Sequence, residues 1–89
     1  MLYIPAYHPE VEKDIKSLPR NLKERIRKAI EERLVLDPLK FGRPLRYSAR
    51  GYRRMRVGDY RIIYRIRKKN IIILKIGHHQ EVYKSFTGH

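Results

Sequence analysis

Apolar residues recur along this chain at two different periods, and the change from one to the other divides it. Val11, Ile15 and Leu18 follow helical spacing, as do Leu22, Ile26, Ala29, Ile30 and Leu34. Residues three and four apart share one face of a helix. From residue 52 onward the period becomes two. Tyr60, Ile62, Tyr64 and Ile66 alternate with Arg61, Ile63, Arg65 and Arg67, as in a strand packed on one side.

Turn and breaker residues bound these runs. Residues 2–7 read as a short strand, and Pro5, which has no N–H, places it at a sheet edge or a bulge. His8-Pro9 breaks the strand, and Pro9 suits the first position of a helix running to about Ser17. Pro19 ends that helix. Asn21 and Glu24 have the spacing of a capping box for a longer helix, which Asp37-Pro38 stops. Residues 41–51 read as loop, with Gly42, Pro44, Ser48 and Gly51. A strand over 52–57, a tight turn at Gly58-Asp59, a strand over 60–67, a turn at 68–70, a strand over 71–77 and a tail complete the chain.

This order predicts an α+β fold in a single domain, residues 1–89. An N-terminal strand and a helix hairpin pack on one face of an antiparallel sheet. Alternation turns Tyr60, Ile62, Tyr64 and Ile66 toward the helices, and Arg61, Ile63 and Arg65 away. In the preceding strand Met55 and Val57 share one face, and Arg54 and Arg56 the other. Arginines of neighbouring strands are thereby expected to converge on one uncovered face. Like charges side by side on a sheet repel, a cost that makes sense if the face receives a polyanion.

The overall charge strengthens that expectation. Among 89 residues, 22 are lysine or arginine and 9 are aspartate or glutamate, for a net of +13. Residues 1–41 carry 9 basic and 7 acidic side chains, whereas residues 42–89 carry 13 and 2. Nine of those 13 are arginine, whose planar fork suits phosphate. The partner classes this allows are nucleic acid and acidic protein. Cysteine is absent, which excludes disulfides, thiolate metal sites and a cysteine nucleophile. His78-His79 has no further ligand at useful spacing, so no metal site is expected. The longest purely apolar run, Ile71-Ile72-Ile73-Leu74, is far below the roughly 20 residues of a membrane helix. The N-terminus lacks the pattern of a signal peptide. The expectation is a cytoplasmic protein without a membrane partner.

The run Gly51-Tyr52-Arg53-Arg54-Met55-Arg56-Val57-Gly58-Asp59-Tyr60-Arg61-Ile62-Ile63-Tyr64 resembles the sheet of the RelE/ParE toxin superfamily. Lys75-Ile76-Gly77-His78-His79 leading to Glu81-Val82-Tyr83 does so too, and Pro44-Leu45 after a helix hairpin also fits. The resemblance covers essentially the whole chain. It implies the toxin of a type II toxin-antitoxin system. In the RelE branch it implies a ribosome-dependent endoribonuclease acting on mRNA, with a cognate RelB-like antitoxin as second partner. In the reaction so implied, a 2′-hydroxyl attacks the adjacent phosphodiester to leave a cyclic phosphate and a 5′-hydroxyl, with no metal or other cofactor.

Residue by residue, the resemblance implies a site. Arg61 sits at the family's sheet arginine and would hold the scissile phosphate. Arg54 stands where well-studied members use a lysine as candidate base. A guanidinium stays protonated, so Arg54 would act as an electrostatic clamp. His79 stands where many RelE-like members have an arginine proposed as general acid, and histidine is the residue type that exchanges protons near neutral pH. Tyr83 matches a C-terminal tyrosine that stacks on a base or orients the reacting hydroxyl, and Tyr52 lies near a second family lysine. Arg53, Arg56, Arg65 and His78 are the further RNA-contacting candidates. The readings left open beside this one are a ParE-like DNA gyrase inhibitor and a basic RNA-binding module without catalysis.

Overall fold

The computed structural model describes residues 2–45 and 51–82. Strand β1 (Ile4–Tyr7) leads into α1 (Pro9–Lys16), α2 (Arg20–Ala29) and a π-helical turn over Ile30–Leu34. A short helix α3 (Pro38–Phe41) precedes β2 (Arg43–Pro44), β3 (Arg53–Val57), β4 (Tyr60–Arg67) and β5 (Asn70–His78). Residues 79–82 are helical. The α+β class is as expected from the sequence. The sheet, however, is mixed rather than wholly antiparallel. Its order is β1-β5-β4-β3-β2, and β1 pairs parallel with β5, Ile4 opposite Asn70 and Tyr7 opposite Ile73. The chain leaves β1 through the helices, re-enters at the far edge and returns strand by strand. Strands β2, β3, β4 and β5 alternate in direction, and β5 comes to lie beside β1.

Local chemistry sets the helix ends. His8 Nδ1 accepts from the Glu10 amide at 3.2 Å, and Pro9 opens α1. Glu10 and Glu12 lie in the first turn and Lys13 and Lys16 in the last, matching the helix dipole at both ends. The expected Asn21–Glu24 capping box does not form. Pro19 occupies the cap without a side-chain bond, its carbonyl takes the Leu22 and Lys23 amides, and Glu24 pairs with Arg27 instead. Where α2 ends, the Val35 amide donates to the Ile30 carbonyl five residues back, at 3.0 Å. This wider turn keeps both Ile30 and Leu34 buried. Asp37-Pro38 stops this helix and also starts the next, since Asp37 Oδ1 accepts the Lys40 amide at 3.1 Å.

The helices and sheet meet through Val11, Ile26, Ala29, Ile30 and Leu34 on one side and Met55, Val57, Ile62, Tyr64, Ile71, Ile73 and Ile76 on the other. Each large aliphatic side chain so buried contributes about 1.5–3 kcal/mol. The β5 residues of this core are spaced by two and then by three. A bulge permits it: Ile63 lies opposite Lys75 and Tyr64 opposite Ile73, which leaves Leu74 without a partner.

Tyr64 is fully buried, and its hydroxyl donates to the Pro38 carbonyl at 2.6 Å, tying α3 to the sheet centre. Gly42 leaves room for that ring, because a Cβ there would lie 1.6 Å from the Tyr64 oxygen. Burial pushes the Tyr64 hydroxyl above its ordinary value of 10.0, against a lowering influence of the Arg53 guanidinium.

Tyr64→Phe strands the Pro38 carbonyl and should cost about 1–3 kcal/mol at neutral pH. The raised folded-state value means that this stabilisation is complete below about pH 10 and declines as pH rises further. The phenylalanine variant lacks that decline. The stability gap in urea unfolding should therefore narrow above pH 10, and a constant gap would contradict the buried neutral hydroxyl.

Candidate functional site

Strand pairing sorts the arginines by face. Arg56 lies directly opposite Arg61, and Arg54 opposite Ile63 and Arg43. By alternation Arg65 shares this face. The strand rise of about 3.3 Å per residue sets it roughly 13 Å from Arg61, at the far end of β4. Arg53 is set apart from the other candidates. It pairs with Tyr64 on the helix side, and its Nη2 donates to the carbonyls of Gly42 at 3.0 Å and Leu39 at 3.3 Å. Its parity with Met55 and Val57 is the sequence signal for that placement.

The β3–β4 turn at Gly58-Asp59 gathers the remaining groups. Arg61 Nη1 donates to the Gly58 carbonyl at 3.0 Å and to the Tyr60 carbonyl at 2.9 Å. Arg56 Nε approaches the same Gly58 carbonyl at 3.4 Å. From β5, the His79 amide donates to the Asp59 carbonyl at 3.0 Å, and its ring Nδ1 lies 3.4 Å from that oxygen. His78 lies opposite Tyr60, edge-on to its ring at 5.9 Å between centroids, and its ring lies 4.6 Å from that of His79, the two planes inclined by 35°. Two guanidinium groups and an imidazole thus converge within one turn of backbone. Among the described residues Arg61 makes its bonds through Nη1, which leaves Nε and Nη2 for an anion.

This face, read as uncovered from alternation, is covered in part: Arg54 and Arg56 are exposed, but its β5 end is not open. Gly77 lies opposite Arg61, and a Cβ on Gly77 would come within 3.2 Å of Val82 Cγ2. The helical turn 79–82 therefore folds back over β5 on the arginine side. Val82 and Ile63 are buried outside the core between helices and sheet. Ile63, the apolar residue between Arg61 and Arg65, is the sequence signal that part of this side is buried. Tyr83 lies outside the described residues. Tyr52 is half-buried beside β3. The turn carbonyls that align Arg56, Arg61 and His79 are backbone groups, and side-chain motifs do not reveal them.

No helix among the described residues is long and apolar enough to cross a membrane. Comparison with known proteins bears on the family. The family model described as the ParE toxin of the type II toxin-antitoxin system, parDE, matches residues 6–83. The chain belongs to the RelE/ParE toxin superfamily. The toxin is similar to Toxin RelG of Mycobacterium tuberculosis, 28% identical over 86 residues that span 94% of this chain and 99% of that protein. Among solved structures it resembles a chain of the toxin-antitoxin complex RelBE2 of the same organism. That match has a TM-score of 0.81 and 28% identity, covering 88% of this toxin and 99% of that chain. A second, in the archaeal RelE-RelB complex of Pyrococcus horikoshii, has a TM-score of 0.71 and 32% identity, covering 88% and 96%. A double arginine-to-alanine mutant of Escherichia coli RelE in the free state, at 19% identity and a TM-score of 0.73 over 99% and 97% of the two chains, shares the fold.

Gly58 holds the turn with a φ of +59°, a region that costs a residue bearing a Cβ roughly 1–2 kcal/mol. Gly58→Ala in the toxin should lower stability by about that amount. Amide exchange at His79 should also accelerate, since its acceptor lies in the strained turn. Stability within ~0.5 kcal/mol of wild type, with unchanged exchange, would show that the turn does not depend on this conformation.

Proposed function

We propose that the toxin is a metal-independent endoribonuclease that cleaves mRNA positioned by the ribosome, through attack of a 2′-hydroxyl on the adjacent phosphodiester. The observation that carries this reading is the convergence of Arg56, Arg61 and His79 on the Gly58-Asp59 turn. Cleavage of this kind needs an acceptor, water or a base, for the 2′-hydroxyl proton, cations on the phosphate oxygens where charge builds up, and a proton for the departing 5′-oxygen. Arg61, with Nε and Nη2 available, stabilises the phosphorane. Arg56 adds positive charge directly across the strand pair. Arg54, one pleat further along β3, clamps the neighbouring phosphate, and Arg65 extends the track. His79 supplies the proton, with the His78 ring beside it. Tyr83, which follows the turn over Val82 in sequence, is assigned to orient the reacting nucleotide. Arg53 has no part in this scheme, since it is engaged on the opposite face.

The same basic face suits an acidic or amphipathic RelB-like antitoxin, in keeping with the RelB partners of the two similar complexes. A cytoplasmic site of action follows from ribosomes as partners. The matched family description names ParE, which favours gyrase inhibition as the second reading.

The test is a translating extract. Wild-type toxin should cut message on the ribosome and leave cyclic phosphate ends, whereas gyrase inhibition without cuts would establish the second reading. His79→Ala should slow single-turnover cleavage by about 10²–10⁴, the usual cost of a lost general acid, with little loss of ribosome occupancy. His78→Ala should be milder. A 5′-thio leaving group needs little protonation and should rescue His79→Ala. Wild-type rates in His79→Ala would remove the histidine from the mechanism.

A further inference from the structure

The β3–β4 turn has a second side. A groove of about 260 Å³ runs between α2 and the turn, lined by Arg25, Lys28, Arg33 and Arg56 around the carboxylate of Glu32. Residues 25, 28, 32 and 33 fall on one face of the helix by their spacing. Arg25 reaches the turn itself, where a Cβ on Gly58 would lie 3.3 Å from its Nη2. The helix sorts its cations. Arg27 is held by Glu24 and Glu31 on either side, and this pairing drives its guanidinium value further upward. Arg25, Lys28 and Arg33 form no ion pair among the described residues. Four cations against one carboxylate leave the groove strongly positive, and Arg56 belongs both to it and to the cluster with Arg61.

We propose that this groove binds the phosphate backbone of RNA, carrying the strand from the Arg56–Arg61–His79 cluster over Gly58 and onto α2. The inference rests on the RNA reading of the site and extends it to a surface outside that site. The groove lining is mostly polar, with Ala29 and Val57 as its apolar members. A charged groove with few apolar anchors tracks a backbone, whereas a folding peptide partner needs apolar seats. The sequence hides this surface, because acidic residues elsewhere in the first 41 positions bring that half close to neutrality.

The experiment measures binding of two non-cleavable 2′-O-methyl RNAs, twelve and four nucleotides long, between about 50 and 200 mM KCl. The groove variant is Arg25→Gln with Lys28→Gln and Arg33→Gln. The control, Lys13→Gln with Lys16→Gln and Lys23→Gln, removes equal charge elsewhere on the helices. Three lost phosphate contacts should flatten the log–log salt slope by about 2, at ~0.7 each. This should appear for the long RNA and the groove variant, with the short RNA and the control within about 0.5 of wild type. Glu32→Gln should tighten binding of the long RNA alone, and it keeps the test decisive if the triple variant is unstable. An unchanged slope in the groove variant, equal losses in both triple variants, or loss of polyglutamate binding with RNA binding intact would each overturn the inference. If wild type cleaves message while the groove variant binds long RNA normally, this inference alone fails. If wild type neither binds RNA in a salt-dependent way nor cleaves message in the translating extract, the RNA reading fails with it.

Discussion

A pleated strand turns successive side chains to opposite faces, yet β5 sends Ile71, Ile73 and Ile76 into the same core. The unpaired Leu74 reconciles the two. An unbroken alternation would turn either Ile76 or the Ile71–Ile73 pair out of the core, a loss of several kcal/mol. It would also exchange the faces of everything that follows. Instead Ile76 returns to the core opposite Ile62, and Gly77 falls opposite Arg61, where the missing side chain admits Val82. The chain then leaves the sheet with His79 against the Asp59 carbonyl. The position of the candidate proton donor is thus fixed by the packing of isoleucines several residues before it.

Electrostatics works against the same arrangement. Arg56 and Arg61 face each other across a strand pair, a juxtaposition that destabilises the free protein. The Gly58 carbonyl, approached by both guanidinium groups, offsets part of the repulsion without a carboxylate. An acidic side chain there would neutralise the pair and close it to phosphate, whereas a carbonyl dipole aligns the arginines and leaves their charge in place. The toxin holds its one helix-side arginine of β3 differently: Arg53 is fixed by the Gly42 and Leu39 carbonyls beside buried Tyr64, and its charge serves the join between α3 and the sheet.

Much of this was legible in residue order. Ile26 and Ile30 at helical spacing, and Ile62 and Tyr64 at strand spacing, identify the two surfaces of the core, and Pro5 puts β1 at an edge. The face of Arg53 was equally available from its parity with Met55 and Val57, although a cluster of arginines draws attention to charge before position. Two features depend on contacts distant in sequence. The parallel pairing of β1 with β5 follows from the path of the whole chain. The helical turn 79–82 lies with Val82 against Gly77, which is opposite Arg61. The Asn21–Glu24 spacing fitted a capping box, but with Pro19 as its cap α2 starts two residues earlier and Arg27 claims Glu24. The candidate site was legible as residue types and not as a constellation, since two backbone carbonyls assemble it.

The two edge strands share a further trait. β1 has four residues with Pro5 among them, and β2 has two with Pro44. Each proline deletes an N–H that another strand would need, and neither edge is long enough to template one. Beyond Tyr7, where β1 ends, α1 packs against β5. A sheet of this composition is therefore a poor seed for edge-to-edge stacking. Among the described residues, what this isoleucine-rich sheet offers to another molecule is its faces and not its edges.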